Sequence, residues 1–292
     1  MTDYKLIAVD VDGTLLTSRG VISPRTRAAL RHAIAGGAQL VVATGRRRTS
    51  ARPILEPLKL PYILVSSQGA AVWQDGALVA HSHLPAPAAR IALEIIRQHG
   101  LATAILGNSL QEEVIWVDGN WHSDPRLAAY LKRNQHVVRP FHPAAFDHDP
   151  IEFIVMGSME RLERLDEALT GHHVAPAVDP PAEAGPTEEH PLWRVIFSRN
   201  QFTAGGAIEV VGPTTSKAAA LAVLCERLGL TPSQVVAFGD NVNDVEMLEF
   251  AGLGVAMGNA TDDARAVADR IAPSNDEDGI AVVLEELFPS SP

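Results

Sequence analysis

The chain has 292 residues, with 24 Lys+Arg against 35 Asp+Glu, so its formal charge is −11. With 46% hydrophobic and 20% charged residues it has the composition of a folded protein of one large or two modest domains, which excludes a disordered chain. The acidic balance, with no basic run longer than Arg46-Arg47-Arg48, argues against electrostatic binding of nucleic acid or of an anionic membrane, and points to small-molecule partners.

The lone Cys225 has no intrachain disulfide partner and sits in the apolar run Ala218–Leu228. The N-terminus passes from Met1-Thr2-Asp3 straight into a strand-like run with no signal-peptide pattern, and both features suit a reducing, cytoplasmic setting. Nowhere do 18 apolar residues run together, so no transmembrane helix is expected. The 11 histidines form no His-x-x-x-His pair and there is no Cys-x-x-Cys, so zinc has no signal.

In chain order, Tyr4–Val9 reads as a strand, and Ser23-Pro24 opens a helix to Ala35 that Gly36-Gly37 stops. Gln39–Ala43 is a second strand, Arg47–Leu58 a helical segment expected to break at Pro53, and Tyr62–Ser66 a third strand. The middle reads as a helix (Pro87–Gln98), strands (Leu101–Leu106, Glu113–Val117), a helix (Pro125–Arg133), a strand (Ile151–Met156), a helix (Met159–Leu169) and strands at His173–Val178 and Leu192–Ser198. The strand–helix rhythm then returns: Ser216–Leu228 helical, Gln234–Phe238 a strand, Asp244–Phe250 helical, Gly254–Met257 a strand, Ala260–Ala268 and Glu277–Leu287 helical. This pattern predicts an α/β fold, a doubly wound, Rossmann-like parallel-sheet core over 1–82 and 206–292, split by an inserted α+β domain over 83–205.

The chemistry concentrates where these strands end. Asp10-Val11-Asp12-Gly13-Thr14 puts two carboxylates past the first strand, at the edge where open α/β sheets bind ligands. One carboxylate there can attack while its neighbour handles the proton, and Gly13 can turn backbone N–H groups toward an anion. An Asp-x-Asp-Gly alone is equally a simple turn, and the residues after it lack the further ligands of a calcium loop. Thr44-Gly45-Arg46 follows the second strand, with a hydroxyl suited to a phosphate oxygen. Gly239-Asp240-Asn241-Val242-Asn243-Asp244 follows a later strand; its hard oxygen donors suit Mg²⁺, while in isolation they also read as helix caps. Four converging carboxylates would repel without a cation. Lys217 starts a helix at the end less favourable to its charge, which argues for a specific partner.

Taken together and in this order, the motifs Asp10-Val11-Asp12-Gly13-Thr14, Thr44-Gly45-Arg46, Lys217 and Gly239-Asp240-x-x-Asn243-Asp244 resemble those of the haloacid dehalogenase-like hydrolases, in particular the Cof-like phosphatases, whose α+β cap lies between the second and third motifs. The resemblance implies a Mg²⁺-dependent phosphatase of small soluble phosphomonoesters, such as sugar phosphates. It implies that Asp10 is the nucleophile that becomes an aspartyl-phosphate and that Asp12 is the general acid and base. It further implies that Asp12, Gly13, Thr44, Gly45 and Lys217 hold the phosphoryl group, and that Asn243 contacts the phosphate or orients Lys217. Mg²⁺ would be held by Asp10, the Asp12 carbonyl and Asp240, with Asp244 close by as a ligand or through water. The protein would be a monomer or small homo-oligomer. A phosphosugar mutase using the same Asp10 and Asp12, and a low-turnover phosphometabolite-binding regulator, are the alternatives.

Two departures stand out: Ser67-Gln68-Gly69-Ala70 has Gln68 where the family usually has Asn, and Pro213-Thr214-Thr215-Ser216 replaces a Gly-Val-Ser-like run. In the cap, Trp116, Trp121, His122 and Trp193 are candidates to contact a substrate, with core packing the ordinary role of such residues.

Overall fold

The computed structural model describes residues 4–107, 114–171, 191–199 and 205–289. They divide into two units, Met1–His81 with Ser216–Pro292, and Ser82–Thr215. The first unit begins with β1 (Leu6–Asp10), α1 (Pro24–Ala35), β2 (Gln39–Ala43), α2 (Arg48–Leu55), β3 (Ile63–Ser66), β4 (Ala71–Gln74) and β5 (Ala77–His81). The inserted unit holds α3 (Ala86–Gln98), β6 (Thr103–Leu106), β7 (Ile115–Asp118), α4 (Pro125–Arg133), β8 (Val138–Pro140), β9 (Glu152–Ser158), α5 (Met159–Thr170), β10 (Arg194–Arg199) and β11 (Gly205–Val211). The first unit resumes with α6 (Lys217–Leu228), β12 (Val235–Gly239), α7 (Val245–Phe250), β13 (Leu253–Ala256), α8 (Asp262–Val267), β14 (Arg270–Ile271) and α9 (Gly279–Leu287).

Among the described residues the first unit carries one sheet in the order β14-β13-β12-β1-β2-β3-β4-β5. Strands β14 to β3 in that order run parallel, and β4 and β5 close the edge as an antiparallel hairpin. Alternate residues of each parallel strand face opposite layers. Ile7 and Val9 join Leu40, Val42, Val236 and Phe238 under α1, α2 and α9, whereas Leu6 and Ala8 join Val41, Ala43, Val235 and Ala237 under α6, α7 and α8. Burial on both faces explains why these strands read as unbroken apolar runs. β1 lies between β12 and β2, where the direction of winding reverses, so Asp10 stands at the strand end where such sheets bind ligands.

Helix ends follow their local chemistry. Ser23 caps α1 by accepting from Thr26 N–H at 3.0 Å, and Pro24 takes the first helical position. Ser216 caps α6 by accepting from Ala219 N–H at 3.1 Å, and Gly229 ends it in the left-handed region. α2 does not break at the expected Pro53; it runs through to Leu55 and only then tightens over Glu56–Leu58.

The inserted unit forms a second sheet, β10-β11-β9-β6-β7-β8, among the described residues. Helices α3 and α5 cover one face, around Phe153 and Val155, and α4 covers the other, around Ala104, Leu106 and Ile154. This unit runs to Thr215, past the expected end at Gly205, because Gly205–Val211 is itself a strand that pairs with β9 and β10. The expected strand at His173–Val178 lies outside the described residues. Among those described, no helix is long and apolar enough to cross a membrane.

Candidate active site

Beyond Asp10 the chain makes one wide turn, closed by Leu16 N–H donating to the Val11 carbonyl at 3.0 Å. Gly13 sits in this turn at φ +89°, and a Cβ there would overlap the Asp240 carboxylate, so close approach of the two loops requires glycine. Thr14 donates to Asp240 Oδ1 at 2.8 Å, and Asn259 Nδ2 donates to the Gly13 carbonyl at 2.9 Å. Asn259 Oδ1 accepts from Asn275 N–H at 3.0 Å, while Asn275 Nδ2 donates to the Leu16 carbonyl at 2.7 Å. The middle of the turn and its far end are therefore tied to the loops after β13 and β14.

Lys217, the first residue of α6, is 1% exposed at its side chain and lies 2.6 Å from both Asp10 Oδ1 and Asp244 Oδ1. The other oxygen of Asp244 accepts from the backbone N–H groups of Asp240 and Asn241 at 3.0 and 3.1 Å. Asp244 thus orients the lysine and shapes its own loop. Carboxylate oxygens of Asp10, Asp240 and Asp244 all lie within 4.8 Å of one another.

Three carboxylates around one ammonium leave a formal charge of −2, and the protonation equilibria show it. Burial pushes Asp10 well above the usual carboxylate range, against the pull of Lys217 and with Asp244 and Asp240 adding to the rise. Asp240 is pushed up to about 7, by burial first and the Asp244 charge second. Burial alone would lower Lys217, but the charges of Asp10 and Asp244 outweigh it and raise the lysine above its ordinary value, so it stays charged. A buried set of hard oxygen donors with an excess of two negative charges fits a divalent cation such as Mg²⁺.

Asp12 stands apart from this cluster. Its carboxylate receives Arg46 Nε and Nη2, one on each oxygen, both at 2.6 Å, in a fork-to-carboxylate pair with side chains 52% and 36% exposed. Arg46 N–H in turn donates to Thr44 Oγ1 at 3.1 Å, which ties the turn after β2 together. Asn243 donates from Nδ2 to Gln68 Oε1 at 3.0 Å. The first unit therefore brings Asp10, Lys217, Asp240 and Asp244 into one cluster, with Gly13 against Asp240.

Four partners were not singled out from the sequence: Thr14, Asn259, Asn275 and the pairing of Arg46 with Asp12. The legible signal for Asn259 is its place just past the end of another parallel strand. In the inserted unit, Trp193 is core, 5% exposed with its indole N–H donating to the Leu169 carbonyl at 3.3 Å. Trp121 and His122 stack at 3.5 Å and line a cavity of about 440 Å³ with Leu131 and Lys132.

Against this geometry, the sequence matches the haloacid dehalogenase-like hydrolase family over residues 7–284. The chain belongs to that family. This haloacid dehalogenase-like phosphatase is 28% identical to a putative phosphatase of Haemophilus influenzae, over 98% of this chain and 99% of the other. It is 30% identical to a 5-amino-6-(5-phospho-D-ribitylamino)uracil phosphatase of Bacillus subtilis, over 97% and 95%. Its fold matches a haloacid dehalogenase-like hydrolase structure from B. subtilis with a TM-score of 0.76 at 27% identity, covering 97% and 99% of the two chains. A second such structure, from Bacteroides thetaiotaomicron, matches with a TM-score of 0.73 at 26% identity, over 98% and 100%.

Proposed function

We propose that this phosphatase hydrolyses a small soluble phosphomonoester through an aspartyl-phosphate on Asp10, with Mg²⁺ as its cofactor. The observation that carries this reading is the buried ammonium of Lys217 bridging Asp10 and Asp244 at 2.6 Å beside Asp240. Asp10, the Asp12 carbonyl, Asp240 and Asp244 would hold Mg²⁺. When bound, the cation neutralises the excess carboxylate charge and the charge of the transferring phosphoryl group.

The chain's own residues supply the rest. Asp10 attacks phosphorus as the ester P–O bond breaks, and Asp12 delivers a proton to the departing oxygen. In the second half, water attacks the same phosphorus, Asp12 takes its proton, and the Asp10–phosphorus bond breaks to free phosphate. Thr44, Gly13 and Gly45, with Lys217 and Asn243, hold the phosphoryl oxygens, so the reaction proceeds by positioning and fixed charge. Asp10 and Asp12 form the nucleophile–acid pair that a binding protein has no need of.

The relatives named for a phosphorylated ribityl compound support a substrate with a sugar or polyol chain, met in a reducing cytoplasm. Phosphate release from a panel of phosphorylated metabolites and an aryl phosphate tests the reading. Wild type is expected to release free phosphate, and Asp10→Asn to lose at least about 10³-fold in rate while remaining folded. Activity of Asp10→Asn within tenfold of wild type would remove Asp10 as nucleophile. Return of the phosphoryl group to substrate, without net phosphate, would mark a mutase instead.

A further inference from the structure

Gln68 departs from the family pattern, and the mechanism above gives it no part. It lies in the turn Ser67–Gly69 that follows β3, and this turn touches three of the four segments that carry phosphoryl-holding groups, those of Thr44, Lys217 and Asn243. Ser67 N–H donates to the Arg46 carbonyl at 3.0 Å and Gln68 N–H to the Thr44 carbonyl at 3.2 Å, which pins the loop after β2. The Gln68 amide lies against Gly45, where a Cβ would overlap it, and Gln68 Oε1 accepts from Asn243 Nδ2 at 3.0 Å. Gly69 sits against the carbonyl of Ser216, the cap of the helix that begins with Lys217, so closely that a Cβ there would overlap it as well.

The backbone of this turn is costly to maintain. Ser67, Gln68 and Gly69 have φ of +48°, +57° and +101°, three consecutive residues in the left-handed region. Asn is the side-chain-bearing residue best suited to that region, because its short amide bonds locally. Gln lacks this advantage but reaches about 1.5 Å further, the length of one added carbon–carbon bond. Here the longer amide is 3% exposed and spans from the Gly45 loop to Asn243. The side chain that suits the backbone less well is the one whose length fits this span.

We propose that Gln68 is a positioning residue for phosphoryl binding: its Oε1 fixes the amide of Asn243 and so sets the spacing between the Asn243 and Thr44 loops. This rests on the phosphatase reading, in which both loops hold phosphoryl oxygens. With its amide tethered, Asn243 meets the phosphoryl group already ordered. Without the tether, ordering it falls on substrate binding.

The test uses the full chain with Gln68→Asn, which keeps the amide and suits the backbone but is too short. Gln68→Met keeps the length and loses the acceptor. Each is made alone and with Asn243→Ala. Steady-state hydrolysis of an aryl phosphate and its inhibition by inorganic phosphate are measured. Each single variant is expected to raise KM and the phosphate inhibition constant about five- to tenfold, with kcat within about threefold of wild type. On the Asn243→Ala background the same changes should add less than about twofold, a non-additivity that a merely structural role would not produce. Single variants within about twofold of wild type in both constants, or an undiminished effect without Asn243, would overturn the proposal. Wild type inert toward every phosphate ester would overturn the phosphatase reading and this one with it. An active wild type with indifferent Gln68 variants overturns this one alone.

Discussion

Two ion pairs of equal length sit at the end of β1 and are held very differently. Lys217 meets Asp10 and Asp244 at 2.6 Å with all three side chains at most 7% exposed, whereas Arg46 meets Asp12 at 2.6 Å with side chains 36% and 52% exposed. Breaking a buried pair strands a charge out of water and costs about 3–5 kcal/mol, while an exposed pair contributes about 0–1 kcal/mol. Around Asp10, Lys217 and Asp244 thus form a fixed electrostatic frame. The exposed half can exchange partners, which the acid–base role proposed for Asp12 would require.

Removing the buried cation should have the largest effect. Lys217→Met is expected to lower kcat/KM by about 10³-fold or more and to destabilise the protein by about 3–5 kcal/mol, since Asp10 and Asp244 lose their shared partner. Steady-state kinetics and denaturant unfolding measure both; activity within tenfold of wild type would show that the frame does not carry the reaction. On the exposed side, Asp12→Ala is expected to cost about 10²-fold or more for alkyl phosphates and much less for an aryl phosphate, whose leaving group needs no proton. Equal losses for the two ester classes would argue against an acid role.

A smaller effect concerns the cluster's excess charge. Asp240, raised from 3.8 to about 7, binds more protons in the native protein than in the unfolded chain between those values. Stability of the metal-free protein should therefore be highest at the acid end of that window and fall as pH rises to about 7, beyond which the contribution is gone. If Asp240 is a ligand of the proposed cation, the cation competes with the proton there, so Mg²⁺ should raise the melting temperature more near pH 8 than near pH 5. A metal-free melting temperature that is flat over this range, with an equal Mg²⁺ shift at both ends, would separate Asp240 from the metal.

The buried half was also the more legible one. Strands covered on both faces read as apolar runs, so the polar residues that end them, Asp10, Thr44 and Asp240, stand out without a structure. Lys217 was conspicuous because its charge sits at the wrong end of a helix. What stayed hidden depends on distant partners: the Asp12–Arg46 pair joins positions 34 apart, and Asn259 reaches back 246 positions to Gly13. Gly205-Gly206 resembles a domain boundary until β9 and β10 are seen to flank that segment. The hairpin of β4 and β5 was missed although Asp75-Gly76, both at positive φ, is a strong turn signal for so short a connection.

The smallest effect is expected at Arg46. If the exposed pair is exchangeable, Arg46→Ala should leave stability within about 1 kcal/mol, because solvent already competes for both partners. Its kinetic signature should also differ from that of Lys217→Met. Asp12 keeps its place at the turn, held through Gly13 and Leu16 by Asn259 and Asn275, so kcat should change by less than about tenfold and the larger change should fall on KM. Arg46→Lys should not restore the wild-type value, since one ammonium cannot engage both Asp12 oxygens as the guanidinium fork does. A loss of several kcal/mol on unfolding, or a kcat collapse as deep as that of Lys217→Met, would mean that the exposed pair belongs to the fixed frame after all.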